Sequence, residues 1–566
     1  MPARANSTGT RRRDFTVLIS NHSIHVRFVS LLRQSVVILV LSLLSGCSLF
    51  DLEDSENVEV REFIGGVAGD EPQAVLAARG ILRSGGNAVD AATALYFALS
   101  VTLPSSASLG SGGVCLVHDA PKRKTEALDF VLRTPRIIPQ NTDRPSAIPG
   151  SPMGMFVLHT KYGNLPWSQL VAVGERLARF GSRATRTLVN DLEPVAAALF
   201  EDASSRKIFA DRNGNIVAEG SKLVQLDLAN VLANIRVNGP VDLYSGKLAA
   251  RLVEAVKAAG GSLSLADLRD FSPRWLKPAK YKIANRSAFF FPPPGAAGIV
   301  LGQMIGMLDV DDEFDDSSEV ARLHLLAETA MRALAERQRW MTDDYQSRED
   351  PDKLVEPGHL RKLLSNFSLD KHTSPGAFNP RPAARPENPS ATSFVVVDRL
   401  GSAVACELTM NNRFGVGRIA PGTGVMLAAV SNNLGRGPVS MGPMMVVHEF
   451  TRQFHFAGAA TGGVAAPTAL ANVAARVTLS EESLRSAMDQ RRVHHGGAPD
   501  TTYYEPGIPP EVIAGLTRRG HRVAATPTLG IVNAASCPEG MPREPDGCEV
   551  VSDRRGSGLA INVNRR

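Results

Sequence analysis

The chain has 566 residues, 43% of them hydrophobic and 21% charged, which is the balance of a folded globular protein too long for one ordinary compact core. Its formal net charge is +5, but residues 1–46 carry six arginines against the single acid Asp14, so the remainder is formally neutral. That distribution excludes a basic face for nucleic acid.

The leader ends in "SVVILVLSLLSGC", an apolar run shorter than the ~20 residues needed to cross a bilayer as a helix. Leu44-Ser45-Gly46-Cys47 resembles a bacterial lipoprotein signal, with small residues before the cut and a thiol to carry the lipid. The expectation is an exported chain, residues 1–46 removed and Cys47 lipidated, with Ser48 directing it to the outer membrane facing the periplasm. An uncleaved short anchor is the alternative. Residues 47–63 then form an acidic tether.

The next segments alternate between helical and strand patterning. "EPQAVLAARGILRSGGNAVDAATALYFALSVTLP" has helix-period apolar positions broken at Gly85-Gly86, which predicts two helices joined by a tight turn. "GSGGVCLVHDA" and "KTEALDFVL" predict a pair of strands, residues 150–275 are mostly helical, and "AFFFPPPGAAGIV" ends a strand and opens a helix. Residues 369–390, rich in Pro, Asn and Ser, read as a linker or processing segment. Directly after it, "NPSATSFVVVDRLGSAVACELTMNN" places the hydroxyls of Ser390, Thr392 and Ser393 at the start of an apolar strand. "GVMLAAV" and "MMVVHEF" predict further strands.

Cys537 and Cys548 lie in a loop rich in Pro and Gly and are expected to form a disulfide in an exported protein. Cys115 and Cys406 lie in apolar strand-like runs and read as buried thiols. There is no CxxC pair and no His/Cys spacing of a metal site, so neither metal nor cofactor is expected.

Several blocks in register then carry a resemblance. "GGNAVDAATALYFALSVTLPSSASLGSGGVCLVHD", "PGSPMGMFVLHTKYGNLPWSQL", "GPVDLYSGKLAARLVEAVKAAGGSLSLADLRDF", "FPPPGAAGIVLGQM", "GHRV" and "SDRRGSGLA" are similar, in this order, to the γ-glutamyltransferase family of N-terminal nucleophile (Ntn) hydrolases. The resemblance runs from about residue 64 to the end. It implies an α/β (α+β) fold, a four-layer αββα sandwich. It also implies a precursor that cuts itself into a large-subunit-like region (64–368) and a small-subunit-like region (391–566). The N-terminal threonine of the small subunit would be the nucleophile, with its freed α-amine as general base. The substrate would be a small γ-glutamyl or other acyl amide such as glutathione.

Carried over residue by residue, the resemblance leaves the nucleophile open. Alignment on Val396-Val397-Asp398 places the nucleophilic position at Ala391, whereas a one-residue slip makes it Thr392. A site without a nucleophile, and Ser393 or Ser390 in that role, are the other readings. Thr409 stands where the family has a threonine assisting the nucleophile, and Asn411 where an asparagine binds the glutamyl group. Gly462 and Gly463 match the oxyanion-hole pair, and Ser440 is the retained member of a serine pair whose partner is Val439. Asn433 stands in place of the acid that holds the substrate amine. Val131 replaces the arginine that grips the α-carboxylate; Arg133 and Arg136 are the candidates to substitute for it, with only Arg133 an even step along the strand.

Three functions follow: a self-processing, membrane-tethered γ-glutamyltransferase-like amidohydrolase, an inactive envelope binding or scaffold lipoprotein, and an acylase for a less polar substrate with Val131 and Val439 in its pocket.

Overall fold

The structure, a computed structural model, describes residues 63–378, 390–431, 437–451 and 453–564. Cys47 and the leader, Asn433 and most of the linker lie outside the described residues. Residues 61–566 cluster as one unit.

Two antiparallel sheets stack at its centre. Their strands in chain order are β1 (Phe63–Gly69), β2 (Gly112–Asp119), β3 (Lys124–Phe130), β4 (Arg274–Leu276), β5 (Ala279–Ile283) and β6 (Arg286–Phe290). The later strands are β7 (Ala391–Asp398), β8 (Ala403–Thr409), β9 (Met444–His448), β10 (Gln453–Thr461), β11 (Ile531–Met541), β12 (Glu549–Ser552) and β13 (Leu559–Asn564). The first sheet runs β13-β1-β7-β8-β2-β3-β4 and the second β12-β11-β10-β9-β6-β5. Residues 64–368 and 391–566 therefore interleave: β7 and β8 lie between β1 and β2.

The layers follow from strand alternation, since successive side chains of a strand point to opposite faces. Val395 and Val397 of β7, with Ala403 and Ala405 of β8, pack between the sheets against Met445, Ala457 and Ala535. Phe394, Val396, Val404 and Leu408 point the other way, into a core shared with the helices α1 (Pro72–Arg83) and α2 (Ala88–Thr102). The second sheet is covered by α3 (Ala296–Asp309), α4 (Glu319–Trp340) and α5 (Ala466–Thr478). The order helix, sheet, sheet, helix is the expected αββα sandwich. Fully burying each such Val, Leu or Phe contributes about 1.5–3 kcal/mol, and a one-residue slip of β7 would exchange the side chains packed between the sheets with those packed under the helices.

The α1–α2 turn forms as its sequence predicts. Gly85 adopts φ 89°, and Asn87 caps α2 in a reciprocal box with Asp90. "GVMLAAV" gives only a two-residue strand, Val425–Met426. Cys537 and Cys548 form the expected disulfide. Cys115 and Cys406, expected as free thiols, form a second one: they are directly opposed on β2 and β8, with Cα atoms 4.2 Å apart. Cross-strand pairing between residues 291 positions apart leaves no trace in local patterning.

Candidate active site

The start of β7 lies beside a cavity of about 280 Å³. Its wall includes Asp70, Asp191, Ser390, Ala391, Arg413, Thr461, Gly462 and Gly530. Alternation decides what β7 presents there. Ala391 lines the cavity; Thr392, the next residue, has the parity of Phe394 and Val396 and is 1% exposed.

Thr392 is not isolated from the cavity, however. Its hydroxyl donates to Asp70 Oδ2 at 3.0 Å, and Asp70 is itself a wall residue. The Ser393 amide donates to the same oxygen at 2.9 Å, and Asn533 Nδ2 donates to Asp70 Oδ1 at 2.7 Å. Asn533 also reaches Ser393 Oγ at 2.9 Å, which uses the Ser393 hydroxyl in joining β7 to β11. Burial pushes the Asp70 carboxyl up, from 3.8 to about 6, against the pull of these three hydrogen bonds. A hydroxyl bonded to a carboxylate poised near neutrality, itself oriented by a third group, is the arrangement that activates a nucleophile.

Thr409 faces Ala391 across the β7–β8 ladder and donates through Oγ1 to the Ser390 carbonyl at 2.7 Å. Asn411, at φ 62°, donates its backbone N–H to Thr409 Oγ1 at 2.9 Å and its side-chain amide to the Ala429 carbonyl at 2.9 Å. The Ser390 hydroxyl donates to the Ser105 carbonyl at 3.4 Å.

The glycine pair lies at the end of β10. Gly462 has φ 130°, and a Cβ there would meet the Gly530 Cα at 2.7 Å; Gly463 has φ 63° and opens the turn into α5. Only glycine fits these positions without strain. The main chain thus passes the cavity wall just before a helix N-terminus, where amides point outward.

Not every expected residue converges here. Arg133 is bound to Asp129 Oδ2 at 2.6 Å, shares that carboxylate with Arg274, and lines a different cleft with Arg136. β3 ends at Phe130, so an even step from Val131 no longer means a shared face. Val131 packs between the sheets, Val439 packs toward the helices over the second sheet, and Ser440 follows it in a 3-10 turn; none belongs to the cavity wall. The cation that does reach the wall is Arg413, 3.1 Å from Asp191. It follows Asn411 by two residues, which was its only signal in the sequence. Asp70 was missed because its role depends on β1 and β7 being neighbours.

Glu407, missed likewise, lies wholly buried on the inter-sheet face of β8. It accepts hydrogen bonds from the amides of Gly442 at 2.8 Å and Ala460 at 2.9 Å. It thereby ties the first sheet to the strand that leads into Gly462.

The αββα layers, with a buried hydroxyl bonded to a buried carboxylate where β7 begins beside a cavity, are those of an Ntn-hydrolase fold. Solved structures agree: a cephalosporin acylase from Bacillus halodurans superposes with a TM-score of 0.75 at 22% identity, covering 89% of this chain and 96% of that one. The family model for gamma-glutamyltranspeptidase matches residues 74–563, and the chain belongs to that family, whose members are hydrolases and transferases. Relatives include the glutathione hydrolase proenzymes of Pseudomonas aeruginosa, 28% identical over 88% of this chain and 94% of that protein, and of Escherichia coli K12, 26% identical over 85% and 89%.

Proposed function

We propose that the chain is a self-processing acyl-amide hydrolase or transferase whose nucleophile is Thr392 and whose processing base is Asp70. The observation that carries this reading is the 3.0 Å hydrogen bond from the Thr392 hydroxyl to a buried carboxylate that also lines the cavity.

In the processing step Thr392 Oγ attacks the Ala391 carbonyl carbon while Asp70 takes its proton. The Ala391–Thr392 C–N bond breaks, the nitrogen takes up a proton, and an ester remains on Thr392 Oγ. Water hydrolyses that ester, leaving a carboxylate on Ala391 and a free α-amine on Thr392. Departure of Ala391 opens the cavity wall where the new amine lies. In turnover, Thr392 attacks the substrate amide with that amine as base, the Gly462–Gly463 amides face the developing oxyanion, and water or an amine acceptor releases the acyl group.

The substrate class is a γ-glutamyl or related acyl amide bearing a carboxylate, for which Arg413 is the partner. The glutathione hydrolase relatives support the γ-glutamyl form. Two disulfides support the proposal that the chain works outside the cytoplasm, as an exported lipoprotein anchored through Cys47.

A second reading rests on Ser390, which lines the cavity as Thr392 does not. Here the cut precedes Ser390, and its hydroxyl is the nucleophile. Hydrolysis of a glutamyl anilide and of an aliphatic acyl anilide, by wild type and by Thr392→Ala, separates the readings. Loss of both processing and hydrolysis in Thr392→Ala is expected; full activity in that variant transfers the role to Ser390. Preference for the aliphatic anilide would contradict the carboxylate assignment of Arg413.

A further inference from the structure

Three of the chain's 12 histidines meet from positions far apart in sequence, outside the cavity wall described above. His324 and Glu328 lie one turn apart on the same face of α4. His521 follows the helix Pro510–Arg518, and His372 lies near the start of the 369–390 segment. His324 and Glu328 are 0% exposed and His521 is 3% exposed.

One hydrogen bond fixes the His324 tautomer. His324 Nε2 is 2.9 Å from the Ser368 carbonyl, which can only accept, so Nε2 carries the proton and Nδ1 the lone pair. That Nδ1 faces His521 Nε2 at 2.6 Å. His521 Nδ1 is 2.8 Å from the Thr502 hydroxyl. The Thr502 hydroxyl can donate or accept; when it accepts, His521 Nε2 presents its lone pair beside that of His324 Nδ1, a pair of donors that suits a cation. A Glu328 carboxylate oxygen lies within 4.8 Å of a ring nitrogen of each histidine.

We propose that His324 Nδ1, His521 Nε2 and Glu328 form a binding site for a first-row divalent transition metal, with zinc the fitting probe. Two imidazoles and a carboxylate are ligands such an ion accepts, and three protein ligands leave its fourth position open. The far nitrogen of each ligating imidazole is already held, by Ser368 and by Thr502, as metal-bound histidines require. The Glu328 carboxylate also accepts from Arg332, His372 and the Thr373 amide, which orient it.

His372 marks the way in. Its Nδ1 shares Glu328 Oε1 at 2.5 Å, and its Nε2 is 2.9 Å from Asp500, whose side chain is 48% exposed. The ligands come from both sides of the linker, so the ion would clamp residues 64–368 to residues 391–566 after processing.

The test uses tag-free protein stripped with a chelator and titrated with zinc against a chromophoric competitor. One equivalent is expected in the wild type, weakened at least about 100-fold in both His324→Ala and His521→Gln. Absence of stoichiometric uptake by the wild type, or unchanged affinity in the two variants, overturns the proposal. Should either variant fail to fold, the cobalt(II) spectrum of the wild type decides: intense visible bands of a four-coordinate ion support the site, and the weak spectrum of a hydrated ion refutes it.

Discussion

Thr392 and Ala391 are neighbours with opposite fates. Ala391 occupies the cavity wall, while Thr392 turns its hydroxyl to Asp70. Removing the base leaves the nucleophile in place, so Asp70→Asn should slow processing by about 10²–10⁴-fold without abolishing the fold, as followed by the disappearance of full-length chain. The pH dependence has a definite sign. Asp70 accepts a proton only when ionised, and burial raises it to about 6, so the processing rate should climb as pH rises through about 6 and then level. A rate independent of pH between about 5 and 7 would remove Asp70 from the base role. None of this pairing was legible in the sequence, since Asp70 and Thr392 stand 322 positions apart and meet only because β1 and β7 are adjacent.

At the scale of strands and helices the sequence was far more informative. The apolar runs of β7 and β8, the glycine turn between α1 and α2, and the proline-marked entry to α3 are local signals, and each element forms where its pattern places it. What alternation could not supply is partnership across strands. Cys115 and Cys406 are the clearest case: as core residues they read as thiols, and as ladder partners they are bonded. That bond has a consequence for processing, because it joins a residue before the cut to one after it. Wild-type fragments should stay linked on a non-reducing gel and separate on reduction, whereas a processed Cys115→Ser chain should separate without reductant.

Glu407 clamps the sheets in the same way. Gln cannot accept from both the Gly442 and Ala460 amides, so Glu407→Gln should cost about 1–3 kcal/mol in urea unfolding near pH 5. Burial raises Glu407 from 4.5 to about 8; its contribution is complete below 4.5 and lost as pH rises through 8. The gap between wild type and variant should therefore narrow toward about pH 9, and a gap that widens would contradict the assignment.

For the whole molecule, the two regions on either side of the linker are one interleaved fold and not two domains. β7 and β8 fill the centre of the first sheet, and β9–β11 sit beside β6 in the second. Cleavage in such a molecule changes covalent structure without separating the pieces, since the sheets, the Cys115–Cys406 bond and the proposed metal clamp all cross the cut. Self-processing is thus compatible with an intact site, and it is also the event on which the catalytic account depends. The most direct test is the intact mass of the reduced, purified protein after prolonged incubation. A small fragment whose N-terminal sequence begins at Thr392 and whose mass is that of residues 392–566 is expected. A fragment beginning at Ser390 would move the nucleophile, and a single uncleaved chain would contradict the account outright.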